Sequence, residues 1–257
     1  MKVALIVLLV AAVGGGAWAY KHERDSRRDD VARLETQLRA VENQLMGGRR
    51  QDTLLAGKIR GVNRRALKAK VARTTLAARI KRSVFTLSVS LDEGTAFVAW
   101  VKGRNSYLIT ANHVVVLSVE RGERKARVHQ GRKVWEGKVL RTDPNYDIAV
   151  IRVPQRIGPP LWQKPTYTPP LVGDELLLVG SPLGYEGSVT SGVVGRVAYN
   201  EIQTDAAAYP GISGGPAVDG NGRVVGVLSS GEAENLNFAV PINLACRTLR
   251  VCKRRGR

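Results

Sequence analysis

"YPGISGGPAV", residues 209–218, sets one serine, Ser213, among three glycines and two prolines, directly ahead of an apolar run that reads as a strand. Glycine loses more backbone entropy on folding than any other residue, so a cluster of it marks a place where the chain turns sharply or approaches something closely. Two readings follow. The stretch is a tight turn, or it is a loop that presents a serine hydroxyl and bare backbone amides to a bound group.

The surroundings of this loop are rich in short strands. "SVFTLSVSL" (83–91) alternates strictly, with Phe85, Leu87, Val89 and Leu91 on one face and Thr86, Ser88 and Ser90 on the other, the pattern of a half-buried strand. Similar runs recur at "TAFVAWV", "SYLIT", "KVLRT", "DIAVIRV", "ELLLVG", "VTSGVVGRVA", "RVVGVLSS" and "NFAVP", and "DGNG" at 219–222 is a hairpin turn between two of them. Many short strands with few helical patterns predict an all-β domain of the sandwich or barrel kind. Residues 154–173 hold six of the chain's eleven prolines, so they cannot form a central strand and must connect two β units, at about 83–153 and 174–241.

Each half carries a piece of chemistry. His113 lies in "LITANHVV", where a strand-like run ends, and Asp147 opens the strand in "NYDIAVIRV"; Ser213 belongs to the second half. A serine hydroxyl is a poor nucleophile unless a base takes its proton. Histidine can do so near neutral pH, and a carboxylate can hold its ring in the right tautomer. Two groups from one unit and one from the other would place the reaction in the cleft between them.

"TANHVV", "YDIAVIRV" and "GISGGPAV" resemble the three catalytic motifs of the trypsin-like (chymotrypsin-fold) serine proteases, most closely those of the HtrA/Deg branch. "TDAAAYPGISGGPAVDGNGRVVGV", "GSPLGYEGSVTSGVVG" and "LNFAVPIN" agree with that branch in order and spacing, so the resemblance spans residues 83–245. It implies a double six-stranded antiparallel β-barrel. It further implies His113 as general base, Asp147 as its orienter, Ser213 as nucleophile, and an oxyanion hole from the backbone N–H groups along Gly211, Ile212 and Ser213. The substrates would be proteins or peptides, with no cofactor and no metal; the three histidines and two cysteines have no metal-ligand spacing either. Ala207 and Ala208 would line the floor of the specificity pocket and Ser229 and Ser230 its wall, which predicts cleavage after small or medium apolar residues. Asp205, the nearest carboxylate, is expected to hydrogen-bond within its loop, and His129 to be a surface residue.

The chain departs from that branch in three ways. Ile212 stands where the branch usually has Asn or Asp, too few residues follow Pro241 for the PDZ domain usual there, and the basic N-terminal segment has no counterpart. A trimer, common in the branch, is the expected homo-oligomer.

Outside 83–245 the chain is strongly basic. The net charge is +18, yet residues 83–246 balance 15 Lys/Arg against 15 Asp/Glu; residues 1–82 hold 19 against 7, and residues 247–257 hold 6 against none. Contact with anionic lipid or nucleic acid is therefore expected of the flanks and not of the β domain. Residues 1–20 contain eighteen uncharged, mostly apolar positions (3–20), the length of a membrane anchor, and also the "AWA" of a cleavable secretory signal. A retained anchor is the favoured reading. The Lys/Arg excess after this segment favours a cytoplasmic bulk, whereas the cleavage-like site and the nature of the β domain favour an extracytoplasmic, periplasmic one, which we expect. In 21–48, Val31, Leu34, Leu38, Val41 and Leu45 trace a short coiled-coil seam. Residues 49–82, with 12 Lys/Arg and only Asp52 against them, read as a basic amphipathic helix or linker; 246–257 form a basic tail. Helix over 242–252 would put Cys246 and Cys252 on different faces and so disfavour a disulfide. Besides a membrane-anchored protease of protein quality control, two alternatives stay open: a protease-fold scaffold whose flanks bind lipid or nucleic acid, and a phage or viral processing protease.

Overall fold

The computed structural model describes residues 27–28, 30–39, 49–90, 92–163, 167–233 and 235–249. It forms two compact units, residues 1–69 and 70–257.

In the first unit the helix α1 is described over 30–39, and α2 (Arg49–Lys81) begins there. Of the expected seam, Val31, Leu34 and Leu38 are exposed, while Val41 and Leu45 lie outside the described residues, as does the apolar segment 1–20. Among the described residues no helix is long and apolar enough to cross a membrane.

The second unit contains two closed six-stranded barrels. The first comprises β1 (Val84–Ser88), β2 (Glu93–Lys102), β3 (Asn105–Thr110), β4 (Lys125–Gln130), β5 (Lys133–Asp143) and β6 (Ile148–Val153), in the order β1-β2-β3-β6-β5-β4. The second comprises β7 (Glu175–Gly180), β8 (Ser188–Val197), β9 (Ile202–Thr204), β10 (Pro216–Asp219), β11 (Val224–Ala233) and β12 (Leu236–Pro241), in the order β10-β11-β12-β9-β8-β7. Two short helices, α3 (Val116–Glu120) and α4 (Asn243–Thr248), complete it. Closure leaves no open sheet edge, which is how a chain made of short antiparallel strands avoids pairing with others.

Three apolar clusters hold the unit together. One fills barrel one around Phe85, Leu87 and Leu108, and a second fills barrel two around Leu176, Leu178 and Ile202. The third joins them, setting Phe97, Ile109 and Ile148 against Val179, Val218 and Val227, with Leu244 of α4 and Leu249 just after it. The last turn of α2 enters this cluster through the fully buried Ile80, and Arg73 pairs with Glu175 on β7 (2.6 Å). Burying an isoleucine side chain contributes about 1.5–3 kcal/mol, so these turns are part of the fold and not a free linker.

Strand β1 differs from its expected half-burial. Thr86, on the supposed polar face, is buried, and its hydroxyl donates to Ser181 Oγ (2.7 Å) beyond β7. The alternation reports one barrel interior correctly, but on the opposite face Thr86 meets the second barrel and not water, while Ser88 is half-buried and Ser90 exposed. The proline-rich connection runs along barrel one, with Leu161 and Trp162 amides donating to the Val98 and Ala99 carbonyls (2.9 and 2.8 Å) where β2 carries a bulge. Helix α4 ends at Thr248, so 242–252 is not one helix, and Cys246 is disulfide-bonded. The argument from helical faces fails because the helix stops short.

Candidate active site

His113 follows β3 in a turn and Asp147 immediately precedes β6, which pairs with β3 in register Thr110↔Ala149. That pairing sets the two turns side by side, and the Asn112 amide donates to the Asp147 carbonyl (3.1 Å). The approach to Asp147 is shaped by Asp143, whose Oδ1 accepts from the Asn145 and Tyr146 amides (2.9 and 3.1 Å). Asp147 itself has φ of +49°, a conformation rare for residues other than glycine but most tolerated by Asp and Asn.

In this pose the Asp147 carboxylate meets His113 twice. Its Oδ1 accepts the His113 backbone N–H (2.8 Å) and its Oδ2 lies 2.8 Å from the ring Nδ1. The pairing leaves Nε2 as the ring nitrogen available to a substrate or nucleophile. The hydrogen bond to Asp147 raises the His113 pKa above the ordinary 6.5; burial pulls it down, and the charges of Asp147 and Asp92 push it up again. For Asp147, burial alone would raise the carboxyl pKa. Hydrogen bonds from the His113 ring, the Ser229 hydroxyl and the His113 amide, with the histidine charge, outweigh it and hold it below its ordinary value.

The loop around Ser213 needs its glycines. Gly211 and Gly214 have φ of +96° and +87°, and a Cβ on Gly214 would collide with Thr110 Oγ1 and the Thr95 carbonyl. Barrel one grips this loop from below: the Thr95 amide donates to the Ser213 carbonyl (2.8 Å) and the Thr95 hydroxyl to the Gly211 carbonyl (2.7 Å). Strand β11 grips it from the side through Gly214 N–H to Leu228 O (2.7 Å) and Leu228 N–H to Gly215 O (2.9 Å). Ile212 points inward, only 3% exposed within the core of barrel two, and its amide donates to the Tyr209 carbonyl (3.1 Å). Among the described residues, the Gly211 and Ser213 amides make no internal hydrogen bond. Of the three amides expected to form an anion site, two are thus uncommitted and the middle one is occupied.

Ser229 joins the halves. Its hydroxyl donates to Asp147 Oδ2, and its carbonyl accepts the Ser213 hydroxyl (3.2 Å). His113, Asp147 and Ser213 therefore share one cleft, although Ser213 Oγ is turned to Ser229 and not to His113. Hydrogen bonds of this kind are commonly loose without substrate and tighten when it binds.

A cavity beside Ser213 is lined by Ala208, Tyr209, Pro210, Ile212, Leu228, Ser229 and Gly231, with no carboxylate among them. Ala208 and Ser229, of the expected pocket residues, are among this lining. Ala207 does not line the cavity, its carbonyl accepting the Thr190 hydroxyl (2.7 Å), and the Ser230 side chain lies outside the described residues. Asp205 turns away and accepts the Val193 amide (2.6 Å) of β8, a contact beyond its own loop. His129 sits on β4 with Nε2 at 2.8 Å from Ser88 Oγ and is partly buried, unlike a plain surface residue. Thr95, which holds the Gly211 carbonyl, and the Ser229 link to Asp147 escaped the sequence reading, because both depend on strand register between distant segments. Among the described residues no cluster of histidine, cysteine and acidic groups could hold a metal.

With this geometry in view, residues 94–227 match the family model described as a trypsin-like peptidase domain. A probable periplasmic serine endoprotease, DegP-like, of Pseudomonas putida is 36% identical over 178 residues, covering 64% of this chain and 35% of that protein. Its counterpart in Chlamydia trachomatis is 32% identical over 170 residues, covering 61% and 33%. The chain thus spans about a third of the length of these curated relatives. Among solved structures, Deg5 superposes with a TM-score of 0.60 at 28% identity, covering 70% of this chain and 93% of that one. The serine endoprotease of Yersinia pestis gives 0.60 at 24%, covering 69% and 65%, a likeness of fold.

Proposed function

Because the chain belongs to the trypsin-like peptidase family, we propose that it is a serine endopeptidase in which Ser213, His113 and Asp147 hydrolyse peptide bonds of protein substrates. The observation that carries this reading is the two-point grip of Asp147 on His113 across the cleft from a glycine loop with two unspent amides. The Ser213 hydroxyl swings from the Ser229 carbonyl to His113 Nε2, which takes its proton as the oxygen attacks the scissile carbonyl. Asp147 holds the tautomer and stabilises the imidazolium. The developing oxyanion is received by the Gly211 and Ser213 N–H groups, where losing one such donor costs about 10²–10³ in rate. His113 then gives the proton to the leaving amine, and water releases the acyl group by the same steps in reverse. The uncharged cavity suits a small or medium apolar residue before the cleaved bond, since nothing in it pairs with Lys or Arg.

The DegP-like relatives carry periplasmic in their names, and a disulfide at Cys246 fits an oxidising compartment, so we place the domain outside the cytoplasm. Anchoring by residues 3–20, assembly into trimers, contact of the basic flanks with anionic lipid, and clearance of misfolded proteins complete the reading. The test is labelling with a fluorophosphonate, whose phosphorus is attacked by an activated serine hydroxyl with loss of fluoride, leaving the serine phosphonylated. Wild type is expected to be labelled and Ser213→Ala not; equal labelling of both, or none of a well-folded wild type, would overturn the reading.

A further inference from the structure

We propose that Glu186, latched to the turn between β4 and β5, is a positioning residue that aims the Gly211 amide; this rests on the reading of that amide as an oxyanion donor. In a planar trans peptide the N–H points opposite to the carbonyl of the preceding residue. The direction of Gly211 N–H is therefore set by whatever holds the Pro210 carbonyl. That partner is the Leu183 amide (2.8 Å).

Leu183 belongs to the segment Ser181–Gly187 between β7 and β8, and it is badly placed to hold anything by itself. Its φ is +51°, in the left-handed region where a leucine is strained, and its side chain is 69% exposed, so no packing secures it. Tyr185, two residues on, is 72% exposed. The segment closes on itself through the Gly184 amide to the Ser181 carbonyl (3.2 Å) and the Tyr185 amide to the Pro182 carbonyl (2.8 Å), and it is tied at both ends to barrel one. At its start, Ser181 N–H donates to Thr95 Oγ1 (3.0 Å), and the Ser181 hydroxyl accepts from Thr86 (2.7 Å).

At its end the tie is Glu186. One carboxylate oxygen accepts the Gly131 amide in the β4–β5 turn, and the other lies 3.4 Å from His129 Nδ1. His129 is itself fixed by Ser88 Oγ at Nε2 (2.8 Å). A hydrogen bond from a backbone amide to an ionised carboxylate is among the stronger ties available. Beside this tie lies a cavity lined by Lys81, Arg82, Thr86, His129, Gln130 and Gly187, where the Lys81 side chain comes close to Gly187. Releasing Glu186 frees Leu183 to leave its strained pose, which lets the Pro210–Gly211 peptide rotate and withdraws the donor. Glu186 touches no substrate; its effect passes through Leu183 and Pro210.

The experiment compares the full chain with Glu186→Gln, Glu186→Asp and His129→Gln on a peptide with alanine before the cleaved bond. It also measures inhibition by the corresponding peptide aldehyde, whose adduct carries the oxyanion, and by the cleaved product, which does not. Glu186→Gln is expected to lower kcat and aldehyde affinity by about tenfold or more, a fraction of the loss of a whole donor. KM, product affinity and Tm should stay near wild type, Glu186→Asp should recover part of the loss, and His129→Gln should show a smaller loss of the same kind. Wild-type kcat and aldehyde affinity in Glu186→Gln would overturn the proposal, as would a loss shared equally by product affinity and accompanied by a fall in Tm. Should Glu186→Gln not fold, an unchanged kcat in His129→Gln overturns it. A wild type that takes no fluorophosphonate on Ser213 removes the catalytic reading itself, an outcome distinct from an active wild type matched by its Glu186 variant.

Discussion

His113 can act as a base only while its ring is neutral, and its bond to Asp147 makes the ring keep its proton to a higher pH than an ordinary histidine. The sign follows directly: a raised pKa moves the acid limb of kcat/KM upward, so half-maximal activity on that side is expected above pH 6.5. Asp147→Asn removes the leading cause of the shift together with the correct tautomer. It should lower kcat by about 10⁴-fold and move the acid limb downward, as a pH profile of the residual activity will show. An unshifted limb would mean that another group titrates. The motifs that hold these three residues were legible in the sequence, His113 at the end of a strand, Asp147 at the start of one, and Ser213 among glycines. Ser229 and Thr95 were not legible in those roles. Their positions follow from β11 lying beside the Ser213 loop and β2 beneath it, and pairings between distant strands leave no local trace.

At the scale of the element, the loop 209–215 combines two opposite demands: amides aimed outward and a fixed seat below. Gly211 and Gly214 meet the first through positive φ, and Ile212 meets the second by entering the core of barrel two beside Gly180, where a Cβ would lie 2.6 Å from its Cγ1. The residue that looked least suited to the stretch is thus the loop's anchor. Ile212→Ala should destabilise the protein by about 2–5 kcal/mol in urea unfolding, as expected for emptying a well-packed site; a change within experimental error would show that the loop is held by Thr95 and β11 alone. Sequence pattern identified the loop and its glycines but not the inward turn of Ile212. Ile212 also lines the cavity beside Ser213, so one residue both seats the loop and borders the cleft. For the strands, alternation located β1 correctly and misjudged Thr86, because at that point the polar face meets the second barrel.

The whole molecule divides its charge as clearly as its architecture. The β domain is balanced, while residues 49–82 set 12 Lys/Arg against Asp52 alone, with Ile59, Val62, Leu67 and Val71 exposed along α2. The two barrels could be foreseen from the proline-rich connection and the resemblance. That Leu76 and Ile80 join the core could not, since their spacing continues the same loose helical pattern as the exposed apolar residues before them. The proposed contact of the basic flank with anionic lipid is a matter of charge and can be tested as such. Each Lys or Arg near such a surface contributes about 1 kcal/mol. The full chain is expected to sediment with phosphatidylserine-containing vesicles, and the bound fraction should fall as salt shortens the Debye length from roughly 10 Å toward 3 Å. Replacing Lys58, Arg64, Lys68 and Lys70 with Gln should weaken that binding several-fold without affecting Ser213 labelling. Binding to neutral phosphatidylcholine vesicles that ignores both salt and these substitutions would assign membrane attachment to the apolar segment 3–20 alone, and would remove the basic helix from any part in it.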